Sequence, residues 1–411
     1  MEKGNVFDVL KERGFVQQVT DEDEIRAIFE SEKVTCYIGF DPTADSLHAG
    51  SLMPIMAMKH MQNHGHHPIA VIGGGTAMVG DPSGKTEMRK MLLQDTIKEN
   101  GEKFKAQFAK YLDFDGGKAS FVDNSDWLLE LKYVDFLRDI GKHFSVNRML
   151  AVESYKIRLE TGLSFLEFNY QLLQAYDFLM LFRTKNCILQ MGGDDQWGNI
   201  VAGIDLIRRL EAKKSYGITS PLLTTASGNK MGKTEKGALW LNANKTSPYE
   251  FYQYWINVDD RDVGKFLAFF TFLPMDEINE LKKLQGADLR KAKQVLAFEA
   301  TKVTHGEDEA KKAEQASQAA FGSGWGDAKG MPTTKMAHKK IENGINVVDL
   351  FSAVKLVSSK SEARRLIQQG GCYVNENRVQ SIETVIDLTY LENKSMILRA
   401  GKKRYHKVDV S

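Results

Sequence analysis

Cysteine is scarce in this chain: three in 411 residues, Cys36, Cys187 and Cys372, far apart and never in a CxxC pair. That spacing argues against a disulfide framework or a structural zinc site and fits a reducing compartment. No apolar run approaches membrane-spanning length, so no membrane partner is expected. The first residues, MEKGNVFDVLKERG, lack the apolar core of a secretory signal and are too acidic for a good transit peptide. The expectation is a cytoplasmic protein. An excess of one charge is also missing, because 55 basic residues face 54 acidic ones for a net +1. Any nucleic acid must therefore be met by a local basic patch. Internal repeats and long low-complexity tracts are absent.

What remains is ordinary globular composition, 42% hydrophobic and 27% charged, in a chain longer than one core usually reaches. Residues 34–40 and 68–74 are short apolar runs bounded by Gly and Pro, the pattern of buried parallel strands. A helical stretch, 52–63, lies between them. Further strands are expected at 119–122 and 187–191, with helices over 167–181 and 197–210, and residues 1–33 read as polar amphipathic helix. These make residues 1–245 an α/β, Rossmann-like parallel-sheet domain. An α-helical domain over 246–320, a glycine-rich linker over 321–345 and a small basic α+β module over 346–411 complete the expected layout. In the module, Ser359 and Glu362 form a capping-box pattern before a helix that stops at Gly370-Gly371.

Five short stretches carry chemistry. CYIGFDPTADSLHAGS, residues 36–51, runs from a strand into a helix and places Tyr37, Gly39, Asp41, His48 and Gly50 where parallel sheets bind ligands. A capped turn with a surface histidine explains it equally well. VIGGGTAMVGDPSGKT, residues 71–86, fails the P-loop spacing, since Val79 holds the place of the first required glycine. Its Asp81 could meet an ammonium group or simply make a turn. In YQLLQAYDFLM, Tyr170, Gln174 and Asp177 share one helix face, suited to a small zwitterion or hydroxyl-bearing ligand. LQMGGDDQWGN sets Gly193, Asp195 and Gln196 after a strand, where acids commonly hold ribose hydroxyls. GNKMGKTEKG puts Lys230, Lys233 and Thr234 in a glycine-containing loop, a cationic arm for a triphosphate or a solvated lysine loop.

As an ordered set these stretches resemble the bacterial-type tyrosyl-tRNA synthetases, class I aminoacyl-tRNA synthetases. HAGS is similar to the signature usually written HIGH and KMGKT to KMSKS, and TSPYEFYQYWINVDDRDV is a further match. The resemblance spans nearly the whole chain and implies an S-four-like RNA-binding domain at its end. It implies that Tyr37 and Asp177 bind the phenolic hydroxyl of L-tyrosine. Asp81, Tyr170 and Gln174 would hold its ammonium group, with Gln196 facing its carboxylate. For ATP it implies Gly39, Asp41, His48, Gly50, Ser51, Gly193, Asp195, Lys230 and Lys233. His48, Lys230, Lys233 and Thr234 would stabilise the transferring phosphates. Mg²⁺ is expected on those phosphates, with no protein-bound metal.

The reaction implied is tyrosyl-adenylate formation, then transfer to tRNA(Tyr). Lys360, Arg364, Arg365, Lys402, Lys403 and Arg404 are the expected RNA-binding residues, and residues 127–150 the expected homodimer interface. Ser51, Ile38, Pro54 and Asp194 depart from the family's usual residues. A tryptophan-activating synthetase and a catalytically silent RNA-binding relative are the alternatives.

Overall fold

The two apolar runs form the centre of a six-stranded sheet. The structure, a computed structural model, describes residues 4–83, 91–226, 228, 231–234, 237–321, 331–375, 377–392, 394–401 and 404–411. Its first elements are α1 (Val6–Glu12), β1 (Gln18–Val19), α2 (Glu22–Ser31), β2 (Thr35–Phe40), α3 (Ala49–Asn63), β3 (His67–Ile72), α4 (Gln94–Phe108) and β4 (Ser120–Asp123). Short helices follow: α5 (Ser125–Leu128), α6 (Tyr133–Asp139), α7 (Val146–Leu150), α8 (Glu153–Thr161) and α9 (Phe165–Phe168). Then come α10 (Tyr170–Lys185), β5 (Cys187–Gly193), α11 (Trp197–Glu211) and β6 (Tyr216–Ser220).

The sheet order is β1-β6-β5-β2-β3-β4, parallel except for β1, which runs against β6. From β2 the chain steps outward through β3 to β4, then returns on the other side of β2 for β5 and β6. The crevice between β2 and β5 is therefore the switch point where such sheets bind ligands. Residues 1–33 are not one helical run. A left-handed Gly14 turns the chain and β1 pairs with β6, because Gln17 and Gln18 donate to Thr219.

The chain divides into two compact units. The first comprises Met1–Gly232, Trp240–Asn242 and Gly264–Asn279, so it takes in a segment that sequence reading assigned to the helical domain. Arg13 accounts for that: its guanidinium donates to the carbonyls of Ala268, Thr271 and Leu273, at 3.1, 3.0 and 2.6 Å.

The second unit holds the hairpin β7 (Lys233–Thr234) and β8 (Gly237–Ala238) and the helix α12 (Pro248–Ile256). After α13 (Val263–Phe270) and α14 (Met275–Lys282), which straddle the division, come α15 (Leu289–His305) and α16 (Glu307–Phe321). A capping box of Ser247 and Glu250 starts α12, which buries Tyr252 and Trp255. The rest is β9 (Thr333–Met336), α17 (His338–Glu342), β10 (Ile345–Asn346), α18 (Val347–Ala353), α19 (Lys360–Gln368), β11 (Cys372–Val374), β12 (Asn377–Arg378), β13 (Val385–Ile386), β14 (Ser395–Ala400) and β15 (Arg404–Val410). Five of these make a sheet of order β12-β11-β14-β15-β9. Residues 322–330 of the expected linker lie outside the described residues. Its later part is not a connector, because β9 pairs in parallel with β15.

Candidate active site

A cavity of about 320 Å³ opens at the carboxyl ends of β2 and β5, within the size range of small-ligand sites. Tyr37, Gly39, Asp41, His48, Gly50, Ser51, Asp81, Tyr170, Gln174, Asp177, Gly193 and Gln196 all line it. Twelve residues spread over four separate stretches of sequence thus meet around one space.

At its inner end Asp177 is buried and accepts two hydrogen bonds, from Asn124 Nδ2 at 2.9 Å and Trp127 Nε1 at 2.8 Å. Burial pushes its carboxyl up to about 8, against those two hydrogen bonds, and repulsion from Asp41 and Asp123 adds to the rise. Tyr37, also buried, has a hydroxyl with no hydrogen-bond partner among the described residues. Burial, then the Asp177 charge, hold its phenol well above the ordinary value. Gln190 Oε1 is a second buried atom without a partner on this wall. Unsatisfied buried polar groups are costly, so their presence around a cavity marks where a ligand completes the set.

Sequence reading missed Asn124, Thr76, Trp127 and Gln190. Asn124 donates to both Asp177 and Thr76 Oγ1, and Thr76 donates to Asp41 Oδ1 at 2.8 Å. Tyr170 donates to the other Asp41 oxygen at 3.2 Å. An unbroken chain of hydrogen bonds therefore joins the two ends of the cavity. One signal could have found Asn124: it directly follows β4, at the carboxyl end of a parallel strand. A second network ties Gln196 to Asp81 Oδ2 at 2.7 Å, while Asn199 donates to Gln174 and Gln196.

Helix α10 carries Tyr170, Gln174 and Asp177, and its start is held from outside the cavity. Arg158 and Glu167, 3% and 2% exposed, form a bidentate pair through Nε and Nη2, both at 3.0 Å. Tyr155 accepts from Gln171 N and donates to Phe168 O. The expected single helix over 167–181 is two, divided at Asn169, and the second runs on to Lys185 and ends at the left-handed Asn186.

At the outer end, His48 caps α3 by accepting the Gly50 N–H on Nδ1 at 3.0 Å. In the neutral ring that leaves Nε2 protonated, as a donor. A Cβ on Gly50 would lie 2.8 Å from the His48 ring, so only glycine keeps this cap. Gly232 of the KMGKT stretch packs here too: a Cβ on it would lie 3.2 Å from Ala49 Cβ and 3.4 Å from Gly50 N. Beyond it, Trp240 forms a β-bridge with His48 and Leu241 N donates to Leu47 O at 2.9 Å. Lys230 lies outside the described residues, and Lys233 and Thr234 are described in backbone alone.

Asp195 does not line the cavity; its carboxylate folds over the Gly193 backbone beside it. Asp194 accepts from Gln18 and Thr219, fixing this loop to β1 and β6.

A family model described as tRNA synthetases class I (W and Y) matches residues 30–322, and one for the tyrosine–tRNA ligase C-terminal domain matches 326–408. A tyrosine–tRNA ligase of Acetivibrio thermocellus is 57% identical over 98% of this chain and 99% of its own length. The chain belongs to the bacterial-type tyrosyl-tRNA synthetases. Another such synthetase, from Clostridium tetani, is 56% identical over 98% of both chains. Among solved structures, a C-terminally truncated mitochondrial tyrosyl-tRNA synthetase of Aspergillus nidulans superposes with a TM-score of 0.70. It shares 30% identity and covers 78% of this chain and 95% of its own. A tryptophanyl-tRNA synthetase of Encephalitozoon cuniculi, at 15% identity and TM-score 0.57, shares the fold alone.

In this synthetase the expected RNA-binding residues stand in unlike settings. Arg364 and Arg365 are exposed on α19, and Lys360 pairs with Asp349 at 2.9 Å. Arg404 is turned inward, against Glu362 at 2.8 Å and Leu356 O at 3.2 Å, where it braces α19 on β15 instead of facing solvent. Lys402 and Lys403 lie outside the described residues. Ser359 accepts from Glu362 N, but the Glu362 carboxylate reaches Ser358, so the capping box is half formed.

Proposed function

We propose that the cavity between β2 and β5 binds L-tyrosine with its phenol at the Tyr37–Asp177 end, and that the chain is a tyrosine–tRNA ligase. One observation carries the orientation: Tyr37 has a buried hydroxyl with no partner among the described residues, while Asp177 is fixed beside it as an acceptor. A phenol satisfies both, accepting from Tyr37 and donating to Asp177. Phenylalanine leaves the Tyr37 hydroxyl unmet and forgoes the contact to Asp177, and a site built around a hydroxyl rejects the analogue lacking it for that reason.

The ammonium group falls to Asp81, Tyr170 and Gln174, and the carboxylate to Gln196, with Asp41 near the reacting atoms. One carboxylate oxygen attacks the α-phosphorus of ATP in line, the bond to the leaving pyrophosphate breaks, and tyrosyl-adenylate forms. A terminal ribose hydroxyl of tRNA(Tyr) then attacks the carbonyl and AMP leaves. Phosphoryl transfer of this kind needs positioned cations and donors more than a protein nucleophile. His48 Nε2–H supplies one donor, and Lys230, Lys233 and Thr234 supply the rest from a loop whose Gly232 packs on α3. Gly50 leaves room for the adenine, Gly39, Ser51 and Gly193 complete the nucleotide side of the cavity, and Asp195, outside its lining here, would have to turn toward the ribose to join them. Mg²⁺ arrives with the ATP phosphates.

The chain works as a cytoplasmic homodimer. Tyr133, Val134, Leu137, Val146, Phe165 and Leu166 are exposed large apolar side chains on α6, α7 and α9, which a second copy would cover. No described helix is long and apolar enough to cross a membrane.

The test is amino-acid-dependent ATP–pyrophosphate exchange. Tyrosine drives it on this reading; exchange with tryptophan and not tyrosine overturns it. Lys233→Ala slows exchange sharply while tyrosine binding stays near wild type, and equal loss of both removes the phosphate role.

A further inference from the structure

The five-stranded sheet of the second unit carries a row of side chains that none of the roles above uses. Its register sets Arg378 opposite Tyr373, Tyr373 opposite Arg399, and Arg399 opposite Tyr405. Directly opposed residues point to the same face, so four adjacent strands present Arg, Tyr, Arg, Tyr side by side. It is the face turned away from α18 and α19, because the alternate residues Cys372, Val374, Leu398 and Ala400 pack into the core beneath those helices.

One end of the row is covered: Tyr405 is buried with Tyr249, Ala316, Met331 and Ile397. The other end is open, with Arg378 exposed and Tyr373 and Arg399 half-exposed. The Arg399 guanidinium lies 3.6 Å from the Tyr373 ring centroid, a cation–π stack. Stacking fixes the guanidinium as a flat, charged plate. Arg378 lies over Gly370, where any Cβ would fall 1.4 Å from its Nη2, so a left-handed glycine at the end of α19 makes room for it.

We propose that Arg378, Tyr373 and Arg399 form a stacking platform for an unpaired nucleotide of the tRNA, on a face distinct from the Arg364–Arg365 face of α19. An RNA base reads as the occupant because the plate offers a planar cationic surface for the ring and Arg378 a cation for the adjoining phosphate. Charge complementarity agrees: residues 346–411 hold eleven Lys and Arg against seven Asp and Glu. A plain sheet-stabilising stack does not need the exposed Arg378 beside it. The inference rests on the reading of this chain as a tRNA ligase.

The experiment measures charging of tRNA(Tyr) and pyrophosphate exchange for full-length Arg399→Lys, Tyr373→Leu and Arg378→Gln, with an Arg364→Ala/Arg365→Ala double variant alongside. Arg399→Lys keeps the charge and loses the plane, so it separates stacking from attraction. Each row variant is expected to raise the KM for tRNA about tenfold, in line with the loss of one base stack, and to leave exchange unchanged. Normal charging by Arg399→Lys and Arg378→Gln, both surface substitutions, overturns the platform even if Tyr373→Leu folds poorly. If the α19 double variant alone impairs charging, the platform falls and RNA binding by the module stands. If every variant charges normally, that reading of the module falls as well.

Discussion

Tyr37 and Asp177 face the same end of one cavity in opposite states: the carboxyl group accepts two hydrogen bonds and the phenol makes none among the described residues. A buried hydroxyl without a partner costs on the order of 1–3 kcal/mol, which the empty protein bears until a ligand relieves it. Tyr37→Phe should therefore leave the empty protein as stable or slightly more so, by about 1 kcal/mol, yet weaken tyrosine binding. Thermal melts with and without tyrosine check this. A variant that melts lower and binds normally contradicts it.

The Asp177 carboxyl titrates near 8 when folded, against about 4 in an unfolded chain. Between those values the folded state holds the extra proton, so this residue's share of stability is full at acid pH and declines as pH rises toward 8. Asp177→Asn lacks that decline. Melting temperatures of the ligand-free proteins at pH 5, 6.5 and 8 should show the two curves converging or crossing as pH rises. Parallel curves contradict it. The same variant should lose tyrosine discrimination, because an amide in place of the carboxylate no longer offers two acceptors.

His48 caps α3 and, on the proposed reading, also serves the reaction. His48→Ala should cost about 1 kcal/mol through the lost cap. It should slow adenylate formation far more than that stability change explains, with tyrosine affinity intact. Stopped-flow measurement of the first step, beside equilibrium tyrosine binding, separates the effects.

Arg158 and Glu167 are buried together, and removing one partner strands the other's charge. Arg158→Met should destabilise the protein by about 3–5 kcal/mol, while Arg158→Met with Glu167→Leu should recover much of it. Denaturant unfolding of the three proteins tests this. Equal loss in single and double variants argues against a buried pair.

The exposed apolar residues on α6 and α9 predict a concentration-dependent dimer. Val134, 73% exposed, is not needed by the monomer core. Val134→Lys should shift sedimentation toward the monomer without lowering the melting temperature of the dilute protein.

The central strands were legible because parallel strands covered on both faces read as unbroken apolar runs, and 34–40 and 68–74 fell within a residue or two of β2 and β3. The cavity side chains were legible through the family's ordered motifs, and Tyr37, Asp41, His48, Asp177 and Gln196 do meet. Asn124 was not, since an asparagine after a strand reads as a turn until its two acceptors are seen. Nor was Arg404: a basic residue beside two lysines looks solvent-facing, and only the fold shows Glu362 waiting beneath it. Strand β6 escaped because Tyr216–Ser220 is short and lacks apolar periodicity, and its place between β5 and the edge strand β1 comes from pairing with both.

The amide of Asn124 serves Asp177 with one contact and Thr76 with another, and through Thr76 it reaches Asp41. Anyone redesigning the pocket to admit an unnatural amino acid inherits that coupling. Swapping the acid alone would strand a donor and disturb the geometry around Asp41, so new specificities must be sought in libraries that vary positions 76, 124 and 177 together.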